Sequence, residues 1–267
     1  MPLRHFTLVA LVLTAACSSP SEVAERTGVE AEKATATSAS ATASSAKGVS
    51  VSEDTELFQF ALAYPAQAAA IPALAAKLDG DAKKVRDEMT ADAKEYQADA
   101  AANGFPFNPY SYSAKWQVVA DLPGYLSMSN DFATYTGGAH GMYGVEGYVW
   151  DKAKGRGFAS EEMFLSPAIL GQALGDVLCQ SLDKERLERR GGESGGGGTF
   201  DDCPGLDEAT ILVGSSNRRT FDRIGVYFGP YVAGPYAEGA YELDFPMTAA
   251  MLDAVKPAYR TAFSAAK

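Results

Sequence analysis

The chain has 267 residues, 46% of them hydrophobic, and a formal net charge of −11. That length and apolar content suffice for a buried core in one large domain or two small ones. The acidic balance argues against nucleic acid and against direct attraction to anionic lipid, and leaves a basic partner or plain solubility as its meaning.

In chain order, Arg4 precedes an uncharged apolar run from Phe6 to Ala16. The run is too short to span a bilayer and ends in small residues, as a secretory signal does. It closes at Thr14-Ala15-Ala16-Cys17-Ser18, which resembles a lipobox, with Thr14 standing where Leu is usual. Residues 1–16 are therefore expected to be a signal peptide, and Cys17 the lipidated N-terminus of the mature chain. The alternative is an ordinary signal peptide that carries a cysteine. Without residues 1–16, which hold Arg4 and no acid, the charge becomes −12. Residues 17–54 are rich in Ala, Ser, Thr and Glu, as in ATATSASATASSAKG, and bury too little to offset their ordering entropy. A disordered tether with a reach of roughly 30 Å is expected there. The location implied is the cell envelope, on the periplasmic side, at the outer membrane if the host is Gram-negative. The lipid anchor is the expected membrane contact.

From residue 55 the pattern becomes that of a folded protein. LFQFALAYP alternates and stops at Pro65, which predicts a short strand. Residues 66–101 read as helix, with Gly80 as a break between two helices. NGFPFNPYSY is a connector. Strands follow at Lys115–Asp121, Tyr125–Tyr135 and Met142–Asp151, then a turn to Gly155. Ser166-Pro167 opens a helix with a side-chain cap and Pro at its first position. Leu170, Leu174, Val177, Leu178 and Leu182 mark its buried stripe, and Gly191 ends it. Residues 221–228 and 241–245 alternate as half-buried strands. Thr248 caps a last helix that Pro257 bends or ends. The mixed order predicts an α+β fold with antiparallel sheet segments packed on helices.

With Cys17 assigned to lipid, Cys179 and Cys203 remain in an oxidising compartment, where a pair usually bonds. Two separate buried thiols are the alternative. TFDDCP at 199–204 resembles the TFDDGP motif of polysaccharide deacetylases, but that chemistry needs two further histidines for its metal. Beyond His5 in the signal, the chain has His140 alone. The match reads as coincidence, and neither a metal nor a cofactor is expected. GGESGGGG lacks the Lys-Ser/Thr of a phosphate loop, and Ser194 lacks a strand and a nucleophile elbow. That segment reads as a flexible loop. FGPYVAGPYAEG repeats Gly-Pro-Tyr, which presents Tyr231 and Tyr236 from a stiff loop as contact residues, unless a ring packs back on the sheet. His140, in TGGAHG, has no nucleophile or second histidine placed beside it by sequence. A structural role, hydrogen-bonded to loop backbone, is the first reading; binding, with Tyr143 nearby, is the second.

DFATYTGGAHGMYGVEGYVWD, then GRGF and EEMF, resembles the extracytoplasmic DUF4163 or PdaC-type domain. IGVYFGPYVAGPYAEGAYELDFP followed by a helix resembles the DUF3298 domain that usually follows it. The resemblance implies a DUF4163-like part at 55–165 and a DUF3298-like part at 166–267, together one compact α+β unit. Its relatives include the lysozyme-sensing part of an anti-sigma factor and the non-catalytic part of a peptidoglycan deacetylase. The expected function is thus non-catalytic binding of an envelope component, first a lysozyme-type muramidase, then peptidoglycan, at Tyr231, Tyr236, His140 and Tyr143. The rival is an enzyme acting on cell-wall glycan through His140 with Glu146 or Asp151. A purely structural lipoprotein is the third reading.

Overall fold

A computed structural model describes residues 47–193, 198 and 200–266. Residues 1–16, Cys17 and Ser194 lie outside the described residues, as does the tether up to residue 46. The tether's end does not: Val49–Asp54 forms strand β1, paired antiparallel with β2 (Phe58–Tyr64). The sequence VSVSED is exposed at nearly every position, so composition reads it as tether, whereas backbone pairing to a neighbouring edge makes it a strand.

β2 alternates buried Phe58, Phe60, Leu62 and Tyr64 with more open residues. A short helix α1 (Ala66–Ala69) and the long helix α2 (Pro72–Asn103) then return the chain to β3 (Tyr110–Asp121), which pairs parallel with β2. Parallel neighbours need such a crossover, and a helix supplies it. α2 runs without interruption through Gly80; the break between helices comes earlier, at Ala70-Ile71, ahead of Pro72. Gly80 costs the helix roughly 1 kcal/mol against alanine. Leu74 and Leu78 before it and Ala82, Met89 and Ala93 after it are all buried against the sheet. That packing outweighs the local propensity. Gly104, in the left-handed region at φ 72°, ends the helix.

β3, β4 (Tyr125–Tyr135), β5 (Met142–Asp151) and β6 (Arg156–Ala159) form an antiparallel meander, completing a six-stranded sheet in chain order. Met163 and Phe164 are buried beyond it. Ser166 caps α3 (Pro167–Leu174) by accepting from the Ile169 amide. Gly175, at φ 60°, ends α3, and α4 (Asp176–Arg189) follows immediately. This kink changes the helical phase, so Val177 is 53% exposed rather than part of the buried stripe, while Leu170, Leu174, Leu178 and Leu182 are buried as read. The second sheet orders β7 (Thr210–Gly214), β8 (Arg223–Phe228) and β9 (Tyr241–Pro246), all antiparallel. Thr248 accepts from the Met251 amide and caps α5 (Ala249–Asp253).

Two apolar cores result. One joins α2 to one face of the large sheet through Phe60, Leu62, Leu74, Met128 and Trp150. The other joins α3, α4 and α5 to the small sheet through Leu170, Leu182, Ile224, Phe228 and Phe245, and takes in Val149 and Phe158 from the large sheet. It therefore spans the 165/166 boundary. Among the described residues no helix is long and apolar enough to cross a membrane.

Candidate functional site

The β4–β5 connection carries TGGAHG. Gly137 and Gly138 sit at φ 91° and 94°, a region open to glycine, and this lets the chain reverse. The hydroxyl of Tyr135 donates to the Gly138 carbonyl at 3.0 Å. His140 Nδ1 lies 2.9 Å from the Gly141 carbonyl; because a carbonyl only accepts, that nitrogen carries the proton. Nε2 is then left to accept from the Tyr231 hydroxyl, 3.2 Å away.

Tyr231 comes from 91 residues further along the chain, on the loop between β8 and β9. The Val232 amide bonds the Gly229 carbonyl, with Pro230 second and Tyr231 third in the turn at φ 70°. That is the pattern of a type II turn, whose third position normally takes Gly. A tyrosine there is strained, by on the order of 1 kcal/mol, and it is 47% exposed. Tyr236 behaves differently. Its ring stacks on His140 with centroids 4.1 Å apart, and its hydroxyl donates to the Gly141 carbonyl at 2.9 Å. It packs back and is half-buried. Tyr143, 36% exposed, meets Tyr236 edge-on at 6.1 Å, and Tyr231 lies 5.5 Å from Tyr236. The four residues singled out for binding, two pairs separated by some 90 residues of chain, thus form one aromatic patch. Met142, 42% exposed, precedes Tyr143 on the same strand.

What holds the Gly-Pro-Tyr loop is less visible in the sequence. Arg186 in α4, 3% exposed, donates to the carbonyls of Ala233, Asp201 and Asp202 and to the Asp183 carboxylate. Arg190 grips Glu238 with two donors at 2.9 and 3.1 Å and Asp201 at 2.8 Å. Arg189 donates to the Glu238 and Ala240 carbonyls and lies over the Tyr241 ring, 4.0 Å from its centroid. Burial alone would raise the Glu238 carboxyl, but the hydrogen bonds from Arg190 and Tyr241 hold it below the usual carboxylate range. Cys179 and Cys203 form a disulfide, Cα atoms 5.5 Å apart, which ties α4 to the segment carrying Asp201 and Asp202. RLERR on one helix was the available signal, but its targets are loops far along the chain.

The residues of the catalytic alternative are not gathered. Glu146 accepts from Asn130 at 3.0 Å. Asp151 lies at the far end of β5 from His140; nine steps of strand separate Met142 from Asp151, roughly 30 Å. Burial would raise the Asp151 carboxyl, yet hydrogen bonds from Lys154 and the Ala153 amide bring it down, as befits a turn cap. In the TFDDCP segment the Asp201 carboxylate takes the Gly198 amide and Arg190. Among the described residues no cluster of three or more His, Cys, Asp or Glu is placed to hold a metal ion.

Beside the patch an open groove of about 960 Å³ runs between the two sheets, and Tyr143 lines it. Its walls include Lys115, Gln117 and Asp131 on the large sheet and Arg223, Tyr227 and Glu242 on the small one. Where the sheets meet, the Thr210 hydroxyl donates to the Val145 carbonyl at 2.7 Å. A Cβ on Gly147 would stand 2.4 Å from the Ile211 carbonyl, so only glycine lets β5 and β7 approach there. The period-two placement of Ser113, Lys115 and Gln117 signals a polar face, but not what it faces.

Residues 51–143, less than half of the chain, match the family model described as Deacetylase PdaC. The match includes TGGAHG and ends at Tyr143. None of the curated proteins compared matches the chain. Among solved structures, it is similar to a member of the DUF3298 family from Bacteroides fragilis NCTC 9343, at 18% identity and TM-score 0.45, over 75% of this chain and 89% of that one. It is also similar to a DUF3298 family protein from Pseudomonas aeruginosa PAO1, at 15% identity and TM-score 0.42, over 82% and 96%. The chain is thus similar to the PdaC family over residues 51–143 and, more loosely, to DUF3298 structures along most of its length.

Proposed function

We propose that this chain is a non-catalytic binding protein of the cell envelope, held there by lipid on Cys17, whose contact surface is the patch of His140, Tyr143, Tyr231 and Tyr236. The observation that carries the reading is Tyr231. A large side chain occupies a turn position that favours glycine, at a cost in stability, and presents nearly half its surface to solvent. Strain of that kind is kept where a side chain has work to do, and exposed tyrosines are strong contact residues. His140 is occupied by tyrosines and its own loop, with Glu146 and Asp151 elsewhere, which favours binding over glycan chemistry.

The partner class is a basic protein of the lysozyme-type muramidase kind. The net charge of −12 that remains without residues 1–16 would steer such a partner, and Asp131 and Glu242 lie on the groove wall beside Tyr143. The test is titration of the full-length chain with a purified basic lysozyme. Binding is expected at low salt, with association slowing as the Debye length falls to about 8 Å. Tyr231→Ala should cost about 1–2 kcal/mol of affinity. Absence of binding at low salt overturns the partner; turnover of purified peptidoglycan would replace the binding reading with an enzyme.

A further inference from the structure

The groove between the sheets is not explained by a protein partner at the patch. Strand β8 turns Ile224, Val226 and Phe228 into the helical core, so Arg223, Gly225 and Tyr227 face the groove. Tyr227 is 5% exposed, and its buried hydroxyl has no hydrogen-bond partner. Its charged and polar neighbours are Tyr143, Glu242 and Asp131, all on the groove wall. Glu242 is its register partner on β9. An unpaired buried hydroxyl costs on the order of 1–3 kcal/mol, which a ligand hydrogen bond would recover.

The rest of the lining says what such a ligand is. Three carboxylates, Asp131, Glu242 and Asp244, face two cations, Lys115 and Arg223. That is close to balance in a chain of −11, so a strongly charged ligand finds no complementary field. The polar groups come as adjacent donor and acceptor: Gln117 donates to Asp131, and Arg223 to Asp244, its Nε 2.8 and 3.1 Å from the two carboxylate oxygens. A hydroxyl group both donates and accepts, so a sugar hydroxyl can bridge each pair without leaving either side unpaired. From Ser113 to Val119 the floor extends about 20 Å, the length of a short oligosaccharide. The volume suits a site of that class.

We infer that the inter-sheet groove binds a neutral oligosaccharide, with Gln117 and Asp131 on one wall, Arg223 and Asp244 on the other, and the Tyr227 hydroxyl between them. The site is distinct from the aromatic contact patch proposed above, and shares with that reading Tyr143 and the wall carboxylates Asp131 and Glu242.

The experiment titrates the full-length chain with chitotetraose, and with cellotetraose as a second neutral tetrasaccharide, by isothermal calorimetry and by protein NMR shifts. Binding of at least one is expected. Gln117→Ala, at an exposed position, and Tyr227→Phe should each weaken it roughly five-fold or more, the equivalent of one lost hydrogen bond. Tyr227→Phe should also leave the melting temperature of the free protein unchanged or higher, since the deleted hydroxyl has no partner to lose. Tyr231→Ala should leave sugar binding unchanged while weakening lysozyme binding, so the two readings fail separately. The inference is overturned if neither sugar shifts any groove resonance at millimolar concentration, if both groove variants bind as well as the parent chain, or if a mixed-charge tetrapeptide occupies the groove in preference to both sugars.

Discussion

The two loops that meet at the aromatic patch are built on opposite plans. The Gly-Pro-Tyr loop after β8 is anchored from beneath by Arg186, Arg189 and Arg190 of one helical segment, which is itself tied by a disulfide. The TGGAHG turn after β4 has two glycines at positive φ and few bonds of its own, and it leans on the first loop through His140 and the Gly141 carbonyl. One is a platform, the other a flap resting against it. A binding surface needs at least one pre-ordered side, because ordering both on contact would subtract from affinity.

The largest expected effect comes from removing the platform's support. Arg186→Ala leaves the carbonyls of Ala233, Asp201 and Asp202 without their buried donor, and should destabilise the protein by about 3 kcal/mol or more in denaturant unfolding. Both loops should lose hydrogen-exchange protection. If only TGGAHG loosens, the assignment of platform and flap is reversed. Next, replacing Cys179 and Cys203 together by Ser should cost on the order of 2–4 kcal/mol, with the patch loosened but the α2 side of the large sheet unaffected. Equal loss of protection in α2 would show that the disulfide supports the whole fold rather than the platform.

Smaller effects separate stability from binding. Tyr231→Gly relieves the left-handed strain and should stabilise the chain by up to about 1 kcal/mol while weakening lysozyme binding. A variant that is more stable and binds equally well would remove Tyr231 from the surface. Gly137→Ala forces a side chain to φ 91° and should cost about 1 kcal/mol, confined to the flap. The smallest concerns pH. Glu238 has its folded pKa below the unfolded value, so its contribution is full above the unfolded carboxylate pKa and is lost as pH falls through the lower, folded one. Acid titration should therefore loosen the platform in that window, and Glu238→Gln should flatten the dependence. An unchanged acid profile in Glu238→Gln would place the pH response elsewhere.

Sequence alone determined those elements whose reasons are local. Strands β4 and β5 were legible to the residue, because alternation and flanking turn residues bound them. So were the Ser166 and Thr248 caps, since a side-chain oxygen bonding an amide three residues on needs nothing distant. The likeness to the PdaC family was legible for the same reason, in one continuous stretch around TGGAHG. Tyr231, Tyr236 and His140 were readable as candidates too, because Gly-Pro-Tyr and Gly-Gly-Ala-His are turn chemistry, and Tyr143 followed only as the neighbour of His140.

Tertiary structure decided the rest. β1 exists because β2 offers it an edge, against a composition that reads as tether. α2 passes through Gly80 because buried residues on both sides, Leu74 and Leu78 before it and Ala82, Met89 and Ala93 after it, hold it to the sheet. Val177 turned outward because Gly175 reset the helix phase. Above all, the meeting of His140 with Tyr231, 91 residues away, and of Gln117 and Asp131 with Tyr227 across a groove, depends on how two sheets pack. Period and propensity specify a face, while only the packing of one face against another specifies its neighbour.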